Sequence, residues 1–149
     1  MAKAFQFAFL LELAVDKRED AARAISAALG RLQQSRERLA QIEQYRAEYR
    51  QRLADSASRG MRMHQWHDFQ LFLAKLDGAV EAQANDVRRC EAVLEQTKQA
   101  WQECEKEVKA YETLETRHHE RQGRIEAKRE QKQSDEWAAN LHRRQGDSH

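Results

Sequence analysis

Steps of four and three residues from Phe7 land on Phe7, Leu11, Ala14, Arg18, Ala21, Ile25, Ala28, Leu32, Ser35, Leu39, Ile42, Arg46, Tyr49 and Leu53. Only Arg18, Ser35 and Arg46 interrupt an otherwise apolar stripe. Spacing of this kind keeps one side of a helix apolar over many turns and is the mark of a coiled-coil seam. Ile25, Leu32 and Leu39 take position a, and Ile42 and Tyr49 take position d. The stripe stops at DSASRG, residues 55–60, where Gly60 can supply the left-handed residue that closes a helix.

A second seam opens at Trp66 and continues through Phe69, Leu73, Leu76, Val80, Gln83, Val87, Cys90, Leu94, Thr97, Trp101, Cys104, Val108 and Tyr111. Gln83 and Thr97 are its polar members. Beyond them the same register reads Glu115, His118, Gln122, Ile125, Arg129, Lys132 and Glu136, so the seam fades. A fold-back near Gly60 accounts for both seams and for the fading. It sets Ala21 opposite Trp101, Ala28 opposite Leu94 and Ser35 opposite Val87, small against large. The second seam then loses its apolar residues close to where the first helix runs out of chain. The predicted fold is all-α: an antiparallel two-helix coiled-coil hairpin in a single domain, the second helix longer than the first. The first helix is expected over about 4–57, the bend over 58–62 and the second helix over 63–142. The tail beyond about residue 118 is expected to be unpaired.

Composition agrees. Of 149 residues 34% are charged, proline is absent and glycine occurs five times, which suits long helices with few turns. Lys plus Arg number 26 against 25 Asp plus Glu, a net charge of +1. That balance lacks the clustered positive excess that nucleic-acid binding calls for. AFQFAFLLELAV, residues 4–15, is too short to span a bilayer and is followed at once by KRED. A cytoplasmic location is expected, with any membrane contact peripheral. Cys90 and Cys104 lie fourteen residues apart on one expected helix, about 21 Å of rise, so they are not expected to pair.

Candidate chemistry is sparse. GMRMHQWHDFQLFL, residues 60–73, gathers Met61, Met63, His64 and His67, yet two histidines without two further fixed ligands make no closed metal site. HHERQG, residues 118–123, starts like HExxH but has Gly123 where the second histidine belongs. No phosphate loop or nucleophile elbow is present. No cofactor, no metal and no catalysis are expected, because a thin helix pair offers no cleft that would desolvate a substrate. Trp137 lies far past the seam as a large apolar residue without an internal partner, a hint of docking.

Beside the seam, Tyr45, Phe72 and Ala79 all fall at position g. In an antiparallel pair g flanks g, so the three share one edge near the bend, above the d residues Ile42, Tyr49 and Leu76. Two readings stand: a slightly wide core, or a partner surface. Two aromatics at positions where Glu or Lys is usual favour the partner surface.

FQFAFLLELAVDKREDAAR, QIEQYRAEYRQRL, GMRMHQWHDFQLFLAKLDGAVEAQ and KREQKQSDEWAA resemble the flagellar export protein family FliJ in order and spacing. The likeness covers nearly the whole chain, and YRxEYRxxL followed by GM and DFQxFLxKLD is its most telling part. The resemblance implies an antiparallel coiled coil like the central stalk of rotary ATPases, at work in the type III export apparatus. It implies that the terminal helices insert into the hexameric export ATPase and that a surface near the bend contacts the cytoplasmic domain of the membrane export gate. Export chaperones are further implied partners. The gate-binding positions it indicates are Ile42, Tyr45, Tyr49, Phe72, Leu76 and Ala79, with Arg38 and Gln83 at the patch edges. Arg62 stands where Ser or Thr is often found after GM, which removes the usual cap of the second helix. The implied role is a non-enzymatic stalk linking ATPase and gate, monomeric when isolated and held at the inner face of the cell membrane. The alternatives are the equivalent stalk of a virulence-type secretion system and a homodimeric structural coiled coil.

Overall fold

The computed structural model describes residues 4–146, and in these the chain forms two helices. Helix α1 spans Ala8–Ser58 and helix α2 spans Met63–Gly146. The first helix starts later than the stripe suggested. AFQF has no side chain that caps a helix N-terminus, and residues 6–7 form a turn instead, closed by the Ala8 N–H donating to the Phe5 carbonyl at 3.2 Å. The second helix runs past the expected 142. Its last turn carries Arg143 and Arg144, cations that suit the negative end of a helix.

The bend occupies residues 59–62. Gly60 adopts φ +93°, the left-handed conformation that ends α1, and its N–H donates to the Ala57 carbonyl at 3.2 Å. Ser58 Oγ donates to the Asp55 carbonyl at 2.7 Å, a further tie in that last turn. At the start of α2 the missing Ser or Thr leaves half of a capping box in place. Gln65 Oε1 accepts from the Arg62 N–H at 3.4 Å, the reach-back that a residue at N3 makes.

Packing divides the chain into two compact units. One comprises residues 19–103, which include the bend. Its core is a cluster of Ala28, Leu32, Val87 and Leu94, with Ile25, Leu39 and Cys90 packed against it. Small Ala28 and large Leu94 thus share one cluster, as the fold-back requires. Arg46 and Arg50 both reach Asp77 at 3.3 Å and Arg36 reaches Glu91 at 3.4 Å, in the same antiparallel register. The other unit joins residues up to Arg18 with those from Cys104 onward. There Ala14 and Val108 are buried, the Phe7 ring lies 6.5 Å from Tyr111 and the Phe5 ring 5.7 Å from His118.

Every seam position of α1 is buried or half-buried, and so are those of α2 from Phe69 to Gln122. Trp66 departs from the pattern at 42% exposure. The register sets it opposite Ser56, where α1 is ending and has no large side chain to cover an indole. From Gly123 to Gly146 every residue is exposed.

The polar members of the seams all find partners. Arg18 Nη1 donates to Glu105 at 2.9 Å, Arg46 reaches Asp77, and Thr97 Oγ1 donates to the Leu94 carbonyl at 2.7 Å. Ser35, only 6% exposed, donates its hydroxyl to Asp86 Oδ2 at 2.6 Å. Gln83 Nε2 donates to the Ser35 carbonyl at 3.1 Å and to its Oγ at 3.0 Å. Burying such groups is tolerable only when they are bonded in this way.

The Ser35 hydroxyl, helped by Arg89 and Arg38, holds the Asp86 carboxyl below its ordinary value of 3.8, against an opposing pull from desolvation. A carboxylate lowered by folding contributes stability that is present above the unfolded value and lost as pH falls through the folded one. Asp86→Asn is therefore expected to lower the thermal midpoint at neutral pH. The gap to wild type should close as the buffer is taken below 3.8. Melting curves by circular dichroism across pH check this, and a gap that widens in acid contradicts it.

Candidate partner-binding surface

The surface near the bend is built from two helices. Tyr45 and Tyr49 are one turn apart on α1, and Phe69 and Phe72 follow the start of α2. The register brings the four rings together. Tyr49 lies 4.7 Å from Phe72 and 5.2 Å from Phe69, and Tyr45 stands edge-on to Phe72 at 6.5 Å. Tyr45 and Tyr49 are 6.5 Å apart along α1. Edge-on packing, as between Tyr45 and Phe72, is a favoured geometry of aromatic pairs, and the other three pairs are tilted.

Exposure separates anchor from support. Tyr45 is 43% exposed and Phe72 37%, so these two present ring surface to solvent. Ile42 and Tyr49 are half-buried, Leu76 is buried and Ala79 is exposed. Of the six candidate positions, the structure joins Tyr45, Tyr49 and Phe72 in one aromatic cluster. Leu76 is buried within the helix pair. Ile42 and Ala79, which carry no ring, lie further from the bend.

Phe69 belongs to the cluster although it was not among the six. Its d position marks it as seam, and the same position places it against Tyr49. Leu71, next to Phe72 in the sequence, is 53% exposed on the outer side of α2. Its position f gave no seam signal, and an exposed leucine there is the only hint a sequence offers.

The two edges of the helix pair in this unit are unlike. The contacts Arg36–Glu91 and Arg50–Asp77 join residues at position e, and Arg46 reaches across to the same Asp77. Tyr45, Phe72 and Ala79 occupy the g edge on the other side. That edge turns polar further from the bend, at Asp86. Gln83 is turned into the seam by its bonds to Ser35 and so offers a partner little. One edge is clamped by charge and the other carries exposed rings.

Elsewhere the candidates stay apart. His64 Nε2 lies 3.5 Å from Asp68 Oδ2, one turn along α2, and both side chains are largely exposed. No group of three His, Cys, Asp or Glu among the described residues is placed to hold a metal ion. Cys90 and Cys104 are free and half-buried at their seam positions. Trp137 is 68% exposed. No helix among the described residues is long and apolar enough to cross a membrane.

A long antiparallel helix pair with a fully exposed C-terminal stretch invites comparison with known chains. The sequence model of the family described as "Flagellar FliJ protein" matches residues 3–147. The chain belongs to the FliJ family. Two relatives agree with that assignment, each called "Flagellar FliJ protein". The one from Escherichia coli (strain K12) is 28% identical over 138 residues, which is 93% of this chain and 94% of the relative. The one from Salmonella typhi is 27% identical over 129 residues, 87% of this chain and 88% of the relative. No solved structure matches the chain. Membership in the FliJ family makes this a flagellar, export-related protein.

Proposed function

We propose that this protein is a non-enzymatic coupling component of the flagellar export apparatus, joining the export ATPase ring to the cytoplasmic domain of the membrane export gate. The observation that carries the reading is the aromatic cluster beside the bend, with Tyr45 and Phe72 part-exposed on the edge opposite the Arg50–Asp77 pair. Exposed aromatic anchors over a rigid floor are what binding hot spots are made of. Ile42, Tyr49, Leu76 and Ala79 support or flank those anchors. The helix ends fit a different contact. Residues 123–146 are exposed all round and rich in both signs of charge, which suits adaptable polar contacts inside a ring. In this reading the protein does no chemistry of its own, works as a monomer in the cytoplasm at the inner face of the membrane, and meets export chaperones as further partners.

Photo-crosslinking tests it. A benzoylphenylalanine at position 45 is expected to join the protein to the gate's cytoplasmic domain, and one at position 137 to join it to the ATPase. The same probe at position 91, on the ion-paired edge, should give no gate product. Gate products from position 91 with none from position 45 would sink the assignment of the edges.

A further inference from the structure

We propose that Ser35, Gln83 and Asp86 form a register lock, selecting one of two alignments of the helix pair, a heptad apart, that the apolar layers from Ala28 to Leu39 alone do not tell apart. The ambiguity begins in the sequence. Ala21, Ala28 and Ser35 stand seven residues apart on α1, all small, and face the larger Trp101, Leu94 and Val87 of α2. Ile25, Leu32 and Leu39 repeat with the same period. Sliding α1 by seven residues, about 10.5 Å, would put Ala28 where Ser35 sits and Leu32 where Leu39 sits. At the sites of Ala28, Leu32, Ser35 and Leu39 the apolar contacts would be remade almost unchanged, because side chains of like size exchange places; outside them Arg18 would take the place of Ile25, and Arg46 that of buried Leu53. Repeats of this kind specify register weakly, and a buried polar group is a known way to fix it.

The bend does not prevent such a slide. A heptad of slip moves the fold-back point by half as much, about one helical turn. The last turn of α1, residues 55–58, reads Asp-Ser-Ala-Ser, mostly poor helix formers that unwind at little cost.

The polar layer does distinguish the two alignments. Ser35 Oγ gives its proton to Asp86 at 2.6 Å and receives one from Gln83 at 3.0 Å. In the slipped alignment Gln83 and Asp86 face the Ala28 methyl, and neither bond can be made. Gln83 could still find a helix carbonyl, but the two hydroxyl bonds have no substitute. Each lost bond of a part-buried group biases the alignment by about tenfold. The contacts Arg36–Glu91, Arg46–Asp77 and Arg50–Asp77 also favour the present register, weakly, because they lie in or near solvent.

Disulfide trapping in the full chain tests the lock. With Cys90→Ala and Cys104→Ala as background, Arg36→Cys with Glu91→Cys reports the present register, and Arg36→Cys with Ala84→Cys reports the slipped one. With the layer intact, brief oxidation should join 36 to 91 and leave 36 and 84 as thiols. Adding Ser35→Ala and Gln83→Leu should raise the initial rate of 36–84 joining about tenfold or more. The lock is overturned if 36–84 joining stays at its background rate in the apolar-layer variant. Loss of helicity by circular dichroism in that variant overturns it equally, since the layer would then be needed for packing itself rather than for choosing a register.

Discussion

Changing Tyr45 and Phe72 together to alanine is expected to weaken binding to the gate's cytoplasmic domain by about thirtyfold or more, while the protein stays helical and still binds the ATPase. Truncating one aromatic anchor at an interface commonly costs about 2 kcal/mol or more, and each 1.4 kcal/mol is about tenfold in affinity. The two rings meet edge-on at 6.5 Å, so they act as one contact and their losses should not simply add. The cost to folding is smaller because the rings already spend 43% and 37% of their surface in water. Tyr49, Phe69 and Leu76 remain beneath them. Calorimetry against the purified gate domain, with a thermal melt of the same variant, separates the two effects. A variant that melts as early as a core mutant yet binds the gate normally would show that the cluster is only a wide part of the core.

Core truncation should do the reverse. Leu32→Ala and Leu94→Ala remove side chains that are 4% and 8% exposed from the core cluster within residues 19–103. Leucine-to-alanine changes in a packed core cost about 2–5 kcal/mol. A pair of helices relaxes into a cavity more easily than a globular core does, so about 2–3 kcal/mol each is expected. For a chain of this size that lowers the thermal midpoint by about 5–10 °C per substitution. The double variant should lose less than twice as much, because both residues line one cluster and share neighbours. Binding to the gate should survive at temperatures where the variants are folded. A shift of a degree or less in either single variant would mean that the seam is not what holds these helices together.

Much of this architecture was readable because a seam is a one-dimensional signal. A step of four and three residues found which α1 side chains are covered, from Phe7 to Leu53, without any knowledge of the partner helix. The fold-back about Gly60 then followed from the break between two seams and from the fading of the second, and the chain does form two helices joined at a turn that holds Gly60. What stayed hidden is what depends on side-chain reach. Arg18, Ser35 and Arg46 read as flaws in the stripe. Each proves to be satisfied from α2, by Glu105, Asp86 and Asp77. No local pattern says that the arginines extend past the seam to acids at the flanking e positions. Helix ends were less legible for another reason. Phe7 belongs to the apolar stripe, but it packs on Tyr111 from a turn rather than from a helix, and Phe5, outside the stripe, packs on His118 just ahead of that turn. Hydrophobic spacing alone does not separate these cases.

The candidate surface was legible to a similar degree. Position g named Tyr45 and Phe72, which are the part-exposed rings. It also named Ala79, which lies outside the aromatic cluster. Phe69 escaped notice because a seam residue is assumed to be spent on folding. A ring is large enough to lie in the seam and still touch Tyr49 at 5.2 Å.

Gly60 carries a last consequence. Its φ of +93° is one that an L side chain rarely adopts, yet a methyl group built there would meet nothing within 4 Å. Glycine is thus demanded at this position by chirality and not by crowding. Inverting the stereocentre resolves the conflict: a D-alanine prefers positive φ and has the room it needs. It would also remove the freedom that glycine enjoys in the unfolded chain, a restriction that stabilises by about 0.4–1 kcal/mol where the native conformation is compatible. A chain assembled by chemical ligation with D-alanine at position 60 would therefore keep the same turn and be more stable than the one the ribosome makes.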